Sequence, residues 1–208
     1  MHVVITGASR GIGAALADGY RAKGHAVIGT NRTSVDFGNT DSIATWAATV
    51  ADPVDLLVCN AGVYMDKGQS LDQGYPAAMW AEAMATNVTG VFLTIQGLLP
   101  QLRAAKAAKI AIISSQMASS ERAPGGSYIY RASKAAVLNL GRNLASDLRA
   151  DGIAVGIYHP GWVRTDMGGS SADISVDESR DGLMARFEAL STATTGCFET
   201  WDGRDHPF

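Results

Sequence analysis

Short apolar runs alternate along this chain with longer stretches of helical period, and that alternation restricts the fold more than any other feature. Apolar runs of about 4–8 residues suit buried strands, and helical segments between them can cross a sheet to start a parallel neighbour. The spacing predicts seven strands, near His2 to Thr6, Ala26 to Thr30, Ser34 to Phe37, Val54 to Cys59, Ile110 to Ser114, Ile153 to Tyr158 and Cys197 to Trp201. Helices are predicted over Gly13 to Lys23, Asp41 to Val50, Ala81 to Ala105 and Tyr128 to Ala150. Repeated βαβ units of this kind give an α/β, Rossmann-type doubly wound domain with a mainly parallel sheet. Only Asn31, Arg32 and Thr33 separate the second and third predicted strands, too few for a crossover helix. Either the third strand is rudimentary or the sheet is trimmed at that edge. No repeat, linker or low-complexity stretch divides the chain, so residues 1–208 read as one domain.

Two local patterns carry chemistry. The first apolar run leads directly into Thr6-Gly7-Ala8-Ser9-Arg10-Gly11-Ile12-Gly13. Glycines at such a turn let the backbone approach a pyrophosphate, and the helix that follows aims its N-terminal N–H groups and dipole at the anion. The spacing is Gly-x-x-x-Gly-x-Gly, not the commoner Gly-x-Gly-x-x-Gly. The second pattern is Tyr130 and Lys134, four residues apart in a predicted helix and so on one face of it. An ammonium beside a phenol favours the phenolate and makes the phenol usable as a proton donor near neutrality. Tyr128 has no lysine four residues on and reads as pocket lining.

Composition excludes several classes. With 47% hydrophobic and 18% charged residues, 208 residues are enough for one well-buried core. A net charge of −3 offers no field for nucleic acid. No apolar run approaches the roughly 20 residues of a membrane helix, and Met1 to Ile5 is too short for a signal-peptide core, so a cytoplasmic location is expected. Cys59 and Cys197 read as buried thiols, and neither has metal-ligand spacing, so no metal is expected. His2, His25, His159 and His206 find no Ser or Cys in a triad pattern and read as structural.

Thr6-Gly7-x-x-x-Gly11-Ile12-Gly13, Asn60-Ala61-Gly62, Tyr130-x-x-x-Lys134 and Pro160-Gly161-x-Val163-x-Thr165 occur in one order, and the chain resembles the short-chain dehydrogenase/reductase family. Tyr128 to Ala136, His159 to Gly169 and Trp201-Asp202-Gly203 resemble its C-factor-like subgroup. The resemblance implies hydride transfer between a nicotinamide cofactor and a carbonyl or alcohol. It also implies a catalytic tetrad. Tyr130 would be the general acid in reduction, and Lys134 would support the phenolate and bond the nicotinamide ribose. Ser115 would donate to the substrate oxygen, and Asn87 would help hold the water that supplies protons to Lys134. Ser115 precedes Tyr130 by fifteen residues where the family usually shows about thirteen, so the loop through Ala123-Pro124-Gly125-Gly126 is longer. Ser115 also reads as a strand-end cap, and Asn87 as an ordinary helical polar residue.

For the cofactor, the resemblance implies contacts from Gly7, Ser9, Arg10, Gly11, Ile12 and Gly13 in the turn, and Asn60, Ala61 and Gly62 under the adenine ribose. Pro160, Gly161, Val163 and Thr165 would join Ile12 around the nicotinamide, and Asp36 would lie beside the adenine. NAD recognition usually wants a carboxylate at the end of the second strand. Asn31 stands there instead, with Arg32 after it and Arg10 in the turn, so two guanidinium groups are available to a 2′-phosphate. NADP(H) is therefore the expected cofactor, with NAD(H) second. The bland reading of either arginine is a solvated surface charge.

Tyr64, Met65, Gln116, Met117, Tyr128, Trp162 and Met167 would frame a largely apolar pocket suited to an aldehyde or ketone. Gly168 to Asp181, rich in Gly, Ser and Asp, reads as a short lid. The alanine-rich predicted helices suggest a homodimer or homotetramer. A rival reading is a dinucleotide-binding signalling protein with incidental turnover. The presence of both Tyr130 and Lys134 argues for the enzyme, because a sensor has no need of that pair.

Overall fold

The computed structural model describes residues 1–208 and contains one six-stranded, wholly parallel sheet. Its strands are β1 (His2–Ile5), β2 (Ala26–Gly29), β3 (Leu56–Cys59), β4 (Lys109–Ile113), β5 (Ala154–His159) and β6 (Phe198–Thr200). The spatial order is β2-β1-β3-β4-β5-β6. Helices α1 (Gly11–Ala22), α2 (Thr40–Ala47), α3 (Ala77–Met84), α4 (Gly90–Gly97), α5 (Leu99–Ala104), α6 (Tyr128–Asp147) and α7 (Val176–Ala189) cover both faces.

The side-chain period of two divides each strand between these faces. Val4, Leu57, Ile110, Ile112 and Ile157 pack with Ile43 and Trp46 of α2, Val91 and Ile95 of α4, and Val137 and Leu138 of α6. Val3, Ile5, Val58, Ala111 and Tyr158 face the other way, onto Leu16 and Tyr20 of α1 and Leu183 and Phe187 of α7. With both faces buried, the strands are near-continuous apolar runs such as Leu56-Leu57-Val58-Cys59.

The expected third strand, Ser34 to Phe37, is absent, so the sheet has six strands and not seven. The reason is local. Asn31 Oδ1 accepts from the N–H groups of Thr33 and Ser34, both at 2.9 Å, and Val35 N–H returns to Asn31 O at 2.9 Å. This turn replaces a crossover helix and leaves β2 at the edge of the sheet. The alternation that resembled a strand is a plug: Val35 and Phe37 are buried against the α2 and α4 side of the core without sheet pairing.

The predicted helix from Ala81 to Ala105 is interrupted. A π-helical segment, Ala85–Thr89, separates α3 from α4, and α5 follows with Pro100 in its first turn. The lid expected over Gly168 to Asp181 is shorter than its composition suggests, because α7 begins at Val176. Ser175 and Glu178 form a capping box there, with the Ser175 hydroxyl accepting from Glu178 N–H at 3.1 Å and the carboxylate accepting from Ser175 N–H at 2.8 Å.

Candidate active site

Strand order reverses between β1 and β3, since the chain winds out to β2 on one side of β1 and then returns to the other. The carboxyl ends of those strands form the crevice where open α/β sheets take ligands. The glycine turn leaves β1 there, and Asn60 leaves β3. Thr6 joins the two: its hydroxyl accepts from the N–H groups of Asn60 and Ala61, both at 3.0 Å. The Asn60 amide donates to Thr6 O and Gly7 O, also at 3.0 Å. Asn60 thus braces the turn with its side chain.

Helix α1 starts without help. Arg10 at its N-cap supplies no side-chain bond, and the first turn holds no acid. The N-terminal N–H groups of the helix therefore await an acceptor, as a pyrophosphate site requires. Gly7 and Gly11 have φ of 68° and 54°, in the region glycine tolerates. An added Cβ at Gly13 would collide with Gly7 O and lie 2.5 Å from Asn60 Nδ2. Overpacking of this kind costs roughly 1–3 kcal/mol. Gly13→Ala is expected to lower the unfolding free energy by about that amount in urea titration.

On the far side of the crevice, α6 presents Tyr130 and Lys134, both buried. Lys134 Nζ donates to Ile113 O at 3.0 Å and lies 5.6 Å from the Tyr130 ring centroid. Ser115 follows β4, and its hydroxyl accepts from Met117 N–H at 3.1 Å. That bond occupies an acceptor position and leaves the proton free to donate. Asn87, in the π-helical segment, accepts from Val63 N–H at 2.8 Å and donates to Val63 O and Ser133 Oγ, both at 2.9 Å. Asn87 is fully buried, and both its amide protons are committed. The π-helical turn brings it between the loop after β3 and α6, so the four expected tetrad residues share one end of the sheet.

One electrostatic expectation is corrected. The spacing of Lys134 and Tyr130 predicts a favoured phenolate, yet burial pushes the Tyr130 phenol up to about 12, with Ser115 opposing and Tyr64 and Asp66 adding to the rise. The site without ligand holds a neutral phenol, the form a proton donor needs. Burial also brings Lys134 down from 10.5 to about 8. Below pH 8 both folded and unfolded chains carry its proton, and the fold bears the cost of a buried charge. Between about 8 and 10.5 only the unfolded chain binds it, so stability rises with pH, by up to about 3 kcal/mol. Lys134→Met is expected to flatten that rise, which urea unfolding at pH 7.5 and 10 measures.

A short chain dehydrogenase family model matches residues 33–174. The chain belongs to the short-chain dehydrogenase/reductase family. It is thus an NAD(P)-dependent oxidoreductase of that family. It is 34% identical over 157 residues to C-signal of Myxococcus xanthus, covering 75% of this chain and 93% of that one. It is 29% identical to 1-hydroxy-2-glutathionyl-2-methyl-3-butene dehydrogenase of Rhodococcus sp. (strain AD45), covering 97% and 96% of the two chains. Among solved structures, NADPH-bound carbonyl reductase from chicken fatty liver superposes with a TM-score of 0.91 at 28% identity, covering 100% of this chain and 98% of that one.

The remaining residues expected to contact the family's cofactor lie in the segments that follow β1, β2, β3 and β5. Arg10 is turned toward the loop after β5, where Nη1 pairs with Asp166 at 2.9 Å. Arg32 is exposed and makes no ion pair. Asn31 uses its side-chain oxygen in its own turn, and Asp36 Oδ1 accepts from Gly38 N–H at 2.9 Å. Gly62 passes Lys134, since a Cβ there would lie 3.5 Å from Nζ and 3.2 Å from Asn87 Oδ1. Pro160 O accepts from the Ser179 hydroxyl at 2.6 Å, and Gly161 has φ of 90°. Val163 is buried, and the Thr165 hydroxyl accepts from Gly168 N–H at 3.1 Å. Ser9 is exposed and Ile12 half-buried at the turn.

Asp66 belongs to the site although no sequence pattern singles it out. It is wholly buried behind Tyr130, and its carboxylate accepts from Ile129 N–H at 2.8 Å and Tyr130 N–H at 3.2 Å. Its only local signal is a carboxylate following Val63-Tyr64-Met65, an apolar setting. Tyr64 stacks on Tyr130 at 4.2 Å between centroids.

Proposed function

We propose that this protein is an NADP(H)-dependent carbonyl reductase in which Tyr130 is the general acid. The observation that carries the reading is a buried, neutral Tyr130 beside Ser115 on one side of a crevice whose other side is an uncapped helix N-terminus. When bound, NADPH would supply a hydride to the carbonyl carbon of an aldehyde or ketone. Ser115 donates to the carbonyl oxygen, and Tyr130 gives its proton to the alkoxide as charge develops there. Lys134, already held by Ile113 O, stabilises the phenolate left behind and orients the nicotinamide ribose. Asn87 holds the loop at Val63 against Ser133, and the second lone pair on its Oδ1 is the side-chain capacity left for a water that returns the proton.

Arg32 and Arg10 recognise the 2′-phosphate. The Arg10–Asp166 pair does not preclude this. Both side chains are about three-quarters exposed, 74% and 77%, and a surface pair is worth roughly 0–1 kcal/mol, less than a charge-assisted bond to phosphate. The chicken fatty liver carbonyl reductase holds NADPH, which supports the same preference. Exposed Tyr128, Trp162 and Met167 favour an apolar substrate. The test is consumption of NADPH and of NADH with a panel of aldehydes, ketones and diketones, with Tyr130→Phe alongside. Tyrosine-dependent NADPH oxidation is expected; equal turnover by the variant overturns the assignment.

A further inference from the structure

We propose that Asp66 is a positioning residue for this site: its buried carboxylate caps α6 from outside and holds Tyr130 in place against Ser115. The inference rests on the reading of Tyr130 as the acid. Helix α6 cannot cap itself. Ser127 occupies the N-cap position but adopts φ of 49°, in the left-handed region, and provides no side-chain bond to the helix. Its hydroxyl is instead joined to Tyr64 OH at 2.6 Å. The first turn carries no acid of its own. The acceptor comes from 63 residues before Ile129. Asp66 Oδ2 takes Ile129 N–H at 2.8 Å, and Oδ1 takes Tyr130 N–H at 3.2 Å, so one of the two capped amides belongs to Tyr130 itself.

The carboxylate is fully buried and forms no ion pair. Burying an unpaired charge is costly, and the compensation here is the pair of amides and the positive end of a twenty-residue helix. A neutral side chain would have capped a helix at less expense. The charge has a second effect, because it opposes loss of the Tyr130 proton. Besides burial, the largest effect, the groups acting on that phenol are Ser115 from the segment after β4, which lowers its pKa, and Tyr64 and Asp66 from the loop after β3, which raise it. Lys134 stands 5.6 Å from the ring on α6 itself. The loop that begins with Asn60-Ala61-Gly62 therefore continues into both the ring stacked on Tyr130 and the carboxylate that fixes its backbone. One short segment, from Asn60 to Asp66, connects cofactor-side and acid-side geometry.

Two variants separate position from charge. Asp66→Ala removes the cap, and kcat with NADPH and the carbonyl compound reduced fastest by the wild type should fall by about tenfold to a hundredfold. KM for NADPH should stay within about twofold, because the glycine turn is untouched. Asp66→Asn keeps one oxygen for the amides and should recover much of kcat. Without the negative charge, its alkaline limb of kcat should move to lower pH by about half a unit or more. An unchanged kcat in folded Asp66→Ala overturns the proposal. If that variant does not fold, an unshifted alkaline limb in Asp66→Asn overturns it. Amide hydrogen exchange at Ile129 and Tyr130 reads the contact without substrate: faster exchange in folded Asp66→Ala supports the cap, and unchanged exchange overturns it. A Tyr130→Phe enzyme as active as wild type would instead defeat the acid assignment itself, a separate result.

Discussion

Tyr130→Phe is expected to reduce carbonyl turnover by roughly 10²–10⁴-fold while leaving NADPH affinity within about twofold of wild type. The substitution removes one oxygen and keeps the ring. Stacking on Tyr64 at 4.2 Å and the Asp66 bonds to the backbone both survive, so the fold and the crevice should survive too. What disappears is the only phenol that combines burial with a lysine four residues on and a serine that lowers its pKa. Ser115 can still polarise the carbonyl, but the alkoxide then has no buried acid beside it. Fluorescence titration with NADPH and single-turnover absorbance separate binding from chemistry. Wild-type turnover with intact binding would remove Tyr130 from the mechanism.

Arg32→Asp is expected to lower the ratio of kcat/KM for NADPH to that for NADH by at least about a hundredfold. Charged hydrogen bonds are worth about 1.5–3 kcal/mol, and every 1.4 kcal/mol is about tenfold. The substitution loses one such bond, adds repulsion toward the 2′-phosphate and gives the ribose hydroxyls a carboxylate. The position tolerates it because Arg32 is exposed and the surrounding turn is held by Asn31, Thr33 and Ser34. Both ratios are read from initial rates with one carbonyl substrate. A ratio that does not move would leave Arg10 alone, or neither arginine, as the phosphate reader.

The legible parts of this fold are those whose signal is local. Gly7, Gly11 and Gly13 announce their turn because only glycine fits it, and Tyr130 and Lys134 announce a shared face because helical geometry puts them there. Strands β1 to β5 are each readable as an apolar run, whereas β6 is only Phe198-Glu199-Thr200. Residues Ser34 to Phe37 mislead because alternation reports burial of Val35 and Phe37, whereas sheet pairing depends on a crossover that the Asn31 turn does not leave room for. The start of α7 is written in Ser175 and Glu178, but the glycine- and serine-rich stretch before them outweighs a two-residue signal. Asp66 and the Arg10–Asp166 pair are out of reach for another reason. Their partners lie 63 and 156 residues away, and no local pattern marks either contact.

The π-helical segment Ala85–Thr89 has a consequence for how the layers fit together. It winds an extra residue into the helix, and one residue corresponds to roughly 100° of rotation about an α-helical axis. Helix α3 packs on α6, whereas α4 packs on α2. The wider turn is thus a phase shifter: it lets one continuous stretch of chain serve two neighbours that lie in different directions. Asn87 sits at the joint, where the face toward α6 gives way to the face toward α2. Deleting a single residue there would make the helix more regular and force it to choose between them.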